Sequence, residues 1–128
     1  MEYFQTARKN MVTNQVMPNH VNDDRILEAM LDTPRHQFLD NEFQNIAYID
    51  SSLPLGDGRK MLSPELFARM VQALQLKGEE RVLDIACGSG YSTAILSKLA
   101  GQVVAVESIT HLATKAINHL SHLQIQNV

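Results

Sequence analysis

With a single cysteine, Cys87, the chain lacks the means for an internal disulfide framework. It also lacks an excess of basic charge: eleven lysines and arginines stand against fourteen acids, for a net charge of −3. Bulk charge therefore gives no pull toward nucleic acid. No apolar run approaches membrane-spanning length, and the first residues, with Glu2, Arg8 and Lys9 among polar neighbours, lack the apolar core of a signal peptide. The expectation is a cytoplasmic protein with no membrane or nucleic-acid partner. Internal repeats, linkers and low-complexity tracts are missing as well. What is left is at most one domain, whose 128 residues, 45% of them hydrophobic, suffice for a core.

The most informative stretch is Arg81 to Gly90, RVLDIACGSG. Val82, Leu83 and Ile85 form a short apolar run, expected to be a buried strand, that stops in a turn of small residues from Ala86 to Gly90. Tyr91 to Ala100 then carries apolar residues at Ala94, Ile95 and Leu99, Gly101 supplies a stop, and Gln102 to Glu107 predicts a second strand. The result is a βαβ unit in an α/β fold. Such a unit sets a glycine turn at the carboxyl end of a strand, where free N–H groups of the following helix face a ligand.

A dinucleotide fingerprint requires glycine at positions 86, 88 and 91, and the chain has Ala86, Gly88 and Tyr91. Its pattern is instead an acid followed by small residues at alternate positions: Asp84, Ala86, Gly88, Gly90. That pattern resembles the first motif of S-adenosylmethionine-dependent methyltransferases. An ammonium and a sulfonium suit a carboxylate at this place, whereas a pyrophosphate would be repelled. Glu107, at the end of the second strand, can accept from both hydroxyls of a ribose in either cofactor class. Cys87 is either a reactive thiol at a helix start or a small residue that fits a tight turn.

Elsewhere the periodicity is helical. Glu2 to Val16 predicts an amphipathic helix ending before Pro18, and a second helix, capped by Asn22 or Asp23, presents Ile26, Leu27, Met30 and Leu31 until Thr33-Pro34. Arg35 to Ile49 reads as loop with a short helical turn, and Ser51 to Lys60 as a turn-rich crossing. Ser63-Pro64-Glu65 opens a helix with Leu66, Phe67, Met70, Val71 and Leu74 as its core stripe, ended at Lys77-Gly78. Thr110 to Leu123 repeats the pattern through Leu112, Ala113, Ala116, Ile117 and Leu120, and Asn127-Val128 reads as the start of a further strand. The chain thus divides into a helical segment (1–50), a crossing and helix (51–80) and a βαβ unit (81–128).

Arg8, Met11-Val12, Gln15, Arg25-Ile26-Leu27, Ala29-Met30, Pro34-Arg35, Phe38, Ala47-Tyr48, Asp50, Leu53-Pro54-Leu55-Gly56, Gly58, Pro64 and the Asp84 motif follow in an order that resembles the protein-L-isoaspartate O-methyltransferase family across nearly the whole chain. The resemblance implies a Rossmann-like fold with a helical N-terminal segment. It also implies methyl transfer from S-adenosylmethionine to the free carboxylate of an isoaspartyl residue in damaged protein. On it, Asp84, Ala86, Cys87, Gly88, Ser89, Gly90, Glu107 and Ser108 hold the cofactor, and the segment Arg59 to Ser63 closes over the methyl group.

Two departures stand out. The family's stretch runs Gly, a variable residue, Thr, Ile, Ser, a variable residue, Pro, and its serine is taken as the active-site hydroxyl. Between Gly58 and Pro64 this chain has Arg59, Lys60, Met61, Leu62 and Ser63, so Leu62 stands at the serine position. Leucine donates no hydrogen bond. Ser63 is then either a shifted catalytic hydroxyl or simply the helix cap, and Arg59 and Lys60 either hold an acceptor carboxylate or are solvated turn residues. The second departure is that the chain stops where a third strand is due, which gives the first half of a parallel doubly wound sheet. The apolar faces left uncovered there suggest a homodimer. A methyltransferase with another carboxylate acceptor and a non-catalytic cofactor- or partner-binding domain remain as alternatives. A metal enzyme does not fit, because His111, His119 and His122 lack a Cys or acidic companion at ligand spacing.

Overall fold

A computed structural model of the protein describes residues 2–128. Helix α1 (Glu2–Met11) continues into a wider π-type turn over Val12–Val16 and a short 3-10 turn over Met17–Asn19, which ends on His20 at φ 68°. Met11, Val12 and Val16 are its buried anchors. The path does not break before Pro18, because that proline falls at the start of the 3-10 turn, where no N–H is required of it.

Helix α2 (Asp24–Asp32) starts on Asp23, whose Oδ1 accepts from the Arg25 N–H at 3.0 Å. Its buried face is Ile26, Leu27, Ala29 and Met30, and Leu31, expected there, is exposed instead. Two 3-10 turns, Arg35–Phe38 and Asn41–Ile46, fill the next stretch.

The supposed turn-rich crossing is an antiparallel hairpin, β1 (Leu53–Gly56) and β2 (Arg59–Met61). Its short strands escape periodicity, but the alternation of buried Leu53 and Leu55 with exposed Pro54 and Gly56 is that of a strand with one face on the core. Helix α3 (Pro64–Ala73) follows, with Pro64 at its first turn, and it ends before Lys77-Gly78. Phe67, Ala68 and Val71 are buried, while Leu66, Met70 and Leu74 are about half exposed, so only part of the expected core stripe reaches the core. Gln72 ties α3 to the start of α2: its Oε1 accepts from the N–H groups of Asn22 and Asp23 at 2.9 and 3.1 Å.

Strands β3 (Arg81–Ile85) and β4 (Gln102–Val106) pair in parallel, Arg81 with Gln102 through Ile85 with Val106, and α4 (Tyr91–Leu99) connects them. Helix α5 (Thr110–His122) buries Leu112, Ala116 and Leu120 but leaves Ile117 exposed. β3 is not the fully buried strand its composition suggests: Leu83 and Ile85 are 58% and 70% exposed, and Val104 and Val106 beside them 42% and 44%. A parallel sheet is buried on both faces only when helices cover both, and here α4 covers one. The last residues form no strand, although the Asn127 carbonyl accepts from the Val103 N–H at 2.9 Å and runs beside β4. No helix among the described residues is long and apolar enough to cross a membrane.

Among the polar residues, Arg35 holds the N-terminal segment to the rest and His36 holds that segment together. Arg35, fully buried, donates through Nε to the Ala47 carbonyl (2.7 Å) and through Nη2 to the Leu62 carbonyl (2.8 Å), with its guanidinium 5.0 Å from the centre of the Tyr91 ring. Burial pushes its pKa down from the ordinary arginine value, against the opposing pull of Tyr91. His36 stacks on Phe4 at 3.8 Å and hydrogen-bonds the Tyr48 hydroxyl at 2.9 Å.

Replacing Arg35 by Ala strands the Ala47 and Leu62 carbonyls and opens a cavity. The expected cost is about 3 kcal/mol in urea unfolding, with Arg35→Lys recovering only part of it. For His36, burial first and the Arg8 charge second hold the pKa below the ordinary 6.5. The unfolded chain therefore binds the extra proton first, so the His36 contribution is whole above 6.5 and is lost as pH falls through the lower folded value. Melts from pH 7.5 downward should show that slope in the wild type and a flatter profile in His36→Phe.

Candidate functional site

The glycine turn between β3 and α4 forms one wall of a cavity of about 340 Å³. Asp84, Ala86, Cys87, Gly88 and Ser89 line that wall, and Arg59, Lys60, Met61 and Leu62 line the opposite side from β2 and the link to α3. Phe67, Met70, Val71 and Leu74 of α3, Tyr91, Ser92 and Leu96 of α4, Leu55 of β1 and Ile85 of β3 complete it. Met70 and Leu74, read from the sequence as core, are exposed because they face this space.

The turn is built from backbone that few side chains tolerate. The N–H groups of Ala86 and Cys87 both donate to the Val106 carbonyl, at 2.8 and 3.2 Å, which closes the turn over the end of β4. Ala86 itself is left-handed at φ 61°. Gly88 stands at φ +60° and Gly90 at φ +101°, where a Cβ would lie 3.2 Å from the Ala116 backbone of α5.

Each acid in the site has defined partners. Asp84 accepts through Oδ2 from the hydroxyls of Ser92 (2.7 Å) and Thr93 (2.8 Å) in the first turn of α4. The sequence motif does not point to those hydroxyls, although two hydroxyl residues within three positions of a glycine turn are a readable signal. Glu107 accepts through Oε1 from the Gly88 N–H at 2.8 Å, and through Oε2 from the Ile109 N–H at 2.9 Å and from Arg59. Desolvation works against its charge, but the Ile109 and Gly88 N–H donors and the Arg59 guanidinium outweigh it and hold the carboxyl below the ordinary value. Arg59 is therefore paired rather than simply solvated: it is half of an ion pair with Glu107.

The remaining candidates separate. Ser89 Oγ donates to the Phe38 carbonyl at 2.7 Å, and the Ser89 carbonyl accepts from His119 Nδ1 at 2.9 Å, so Ser89 pins the turn to the N-terminal segment and α5. Cys87 is buried; desolvation first and the nearby Asp84 charge second push its thiol up, which disfavours a reactive thiolate. Gly90, Glu107 and Ser108 do not line the cavity, and Ser108 is exposed. Ser63 occupies the cap position of α3, yet its side chain makes no capping hydrogen bond, and it does not line the cavity either. Leu62 does. His111 pairs with Asp57 at 3.3 Å, apart from His119, and no group of metal-ligating side chains occurs among the described residues.

The family model of protein-L-isoaspartate(D-aspartate) O-methyltransferase matches residues 6–128. The chain belongs to that family. It is 44% identical over 125 residues to protein-L-isoaspartate O-methyltransferase 1 of Rhodopseudomonas palustris, covering 98% of this chain and 51% of the relative. A protein of the same name from Pelobacter propionicus is 46% identical over 125 residues, with 98% and 58% covered. Among solved structures, a protein-L-isoaspartate O-methyltransferase superposes with a TM-score of 0.75 at 28% identity over 99% of this chain and 39% of that one. A putative protein-L-isoaspartate O-methyltransferase from Plasmodium falciparum, solved with S-adenosyl-L-homocysteine, gives 0.78 at 23% identity, covering 94% and 60%, and supports the fold. The Rossmann-like methyltransferase architecture read from the sequence is thereby established. The chain spans little more than half the length of these curated relatives.

The glycine turn offers a graded test of its geometry. Gly88→Ala should cost about 1 kcal/mol, chiefly from the left-handed φ, because the Leu55 methyl it would meet can swing aside. Gly90→Ala meets the α5 backbone, which cannot, so its urea midpoint should fall further.

Proposed function

We propose that this chain is the S-adenosylmethionine-binding part of an O-methyltransferase acting on isoaspartyl carboxylates of damaged protein. The observation that carries the reading is Asp84 at the end of β3 with the glycine turn that follows it, which opens into a cavity whose far wall is the Arg59–Leu62 segment. The residues fit the cofactor: Asp84, oriented by Ser92 and Thr93, offers a carboxylate to an ammonium, and Glu107, directly after β4 and covered by Arg59, is the carboxylate for a ribose. Bound there, S-adenosylmethionine supplies a methyl group already activated by its sulfonium.

The chain's own task is then alignment and exclusion of water rather than acid–base chemistry, since an ionised carboxylate is already a nucleophile. Met61, Leu62, Phe67 and Met70 give the cavity an apolar wall that keeps water from the transfer line. Lys60, exposed at the cavity edge, attracts the acceptor carboxylate. Leu62 supplies no hydroxyl to orient it. That observation favours a second reading, the same transfer to a different carboxylate. A cytoplasmic location and a homodimer go with the proposal, the latter supported by the exposed apolar side chains of Leu83, Val104 and Val106.

Calorimetric titration of S-adenosylmethionine, followed by transfer of labelled methyl to isoaspartyl and ordinary aspartyl peptides, tests it. Binding should weaken at least about tenfold in Asp84→Ala, and Leu62→Ser should raise isoaspartyl methylation by about tenfold, the worth of one charge-assisted hydrogen bond. Methylation of the ordinary peptide with no gain from Leu62→Ser would favour the other acceptor. Binding without transfer to any carboxylate would leave a non-catalytic domain.

A further inference from the structure

The Glu107 carboxylate is nearly full. A carboxylate offers about four acceptor positions, two on each oxygen. Here Oε1 receives the Gly88 N–H, and Oε2 receives both the Ile109 N–H and Arg59. The side chain is 1% exposed, against 25% for Arg59, so the arginine closes the solvent side of the carboxylate. A ribose diol needs two acceptor positions at once. With Arg59 in place only one remains, on Oε1. With Arg59 withdrawn, one is vacant on each oxygen, which matches a diol hydroxyl for hydroxyl.

From this count we propose that Arg59 is a cofactor-displaced latch: it occupies the diol's seat on Glu107, and its displacement releases a guanidinium to bind the acceptor carboxylate. The inference rests on the cofactor reading above. Arg59 already lines the cavity beside Lys60 and Leu62. Its backbone is held, because the hairpin is anchored by buried Leu53 and Leu55, while its own side chain is a quarter exposed to solvent. The side chain can therefore swing without moving the strand. Once freed, it adds a planar, two-pronged donor to the point charge of Lys60, which supplies the carboxylate recognition that Leu62 cannot. The acceptor then binds after the cofactor, since before it the guanidinium is engaged.

The test titrates S-adenosylhomocysteine and its 2′-deoxy analogue into the wild-type chain, Arg59→Ala, Arg59→Gln and Glu107→Ala, with a thermal melt of each to establish folding. S-adenosylhomocysteine should bind about tenfold tighter to both Arg59 variants, as expected when a charge-assisted competitor is removed. The 2′-deoxy analogue should show little of that gain, which separates release of the diol seat from a general change in charge. Glu107→Ala should bind S-adenosylhomocysteine more weakly. If neither Arg59 variant binds more tightly while Glu107→Ala still weakens binding, the latch is wrong and the cofactor reading stands. An equal gain for the deoxy analogue also overturns the latch. Unchanged affinity in Glu107→Ala, or no binding by any folded variant, overturns both.

Discussion

The buried guanidinium of Arg35 is the constraint on which the arrangement depends. Among the described residues it has no carboxylate partner and instead joins three separate parts of the chain: the Ala47 carbonyl of the N-terminal segment, the Leu62 carbonyl at the entrance to α3, and the face of Tyr91 at the start of α4. A buried charge of this kind is costly wherever a donor is left over, as Nη1 is here, so the two carbonyls and the Tyr91 face are what hold it in place. Its Leu62 bond sets one wall of the cavity, and its Tyr91 contact meets the helix that carries the other. The helical segment is therefore part of the site's framework.

Around that framework the glycine turn gathers the polar chemistry. Closing the turn on the Val106 carbonyl brings the end of β4 under the end of β3, so Glu107 reaches the Gly88 N–H while Asp84 reaches the first turn of α4. The two acids then serve different ends. Asp84 stays on the cavity wall, whereas Glu107 lies behind the turn and is reached from the hairpin by Arg59. A hairpin that sequence periodicity hides thus delivers the residue that pairs with one of the two acids.

Much was legible because it is local. The strand–turn–helix from Arg81 to Leu99, the cap at Asp23, the proline start of α3 and the parallel partner at Gln102 each follow from residues within a few positions of one another. The failures share a cause. Leu66, Met70, Leu83, Ile85 and Ile117 were assigned to the core from type and spacing, and periodicity reports that a face is apolar without saying whether anything lies against it. Ser63 stands where a cap belongs, but a side-chain torsion decides whether the hydroxyl is used.

The sequence by itself determined the βαβ unit, the class of ligand that its acid and glycines suit, and the departure at Leu62, because these depend on residue type at short spacing. Only the tertiary structure decided that Arg59 pairs with Glu107, that Arg35 bridges three segments and that the α3 stripe lines a cavity. These contacts join residues far apart in the chain, and long-range ion pairs and buried hydrogen bonds leave no periodic trace in a sequence.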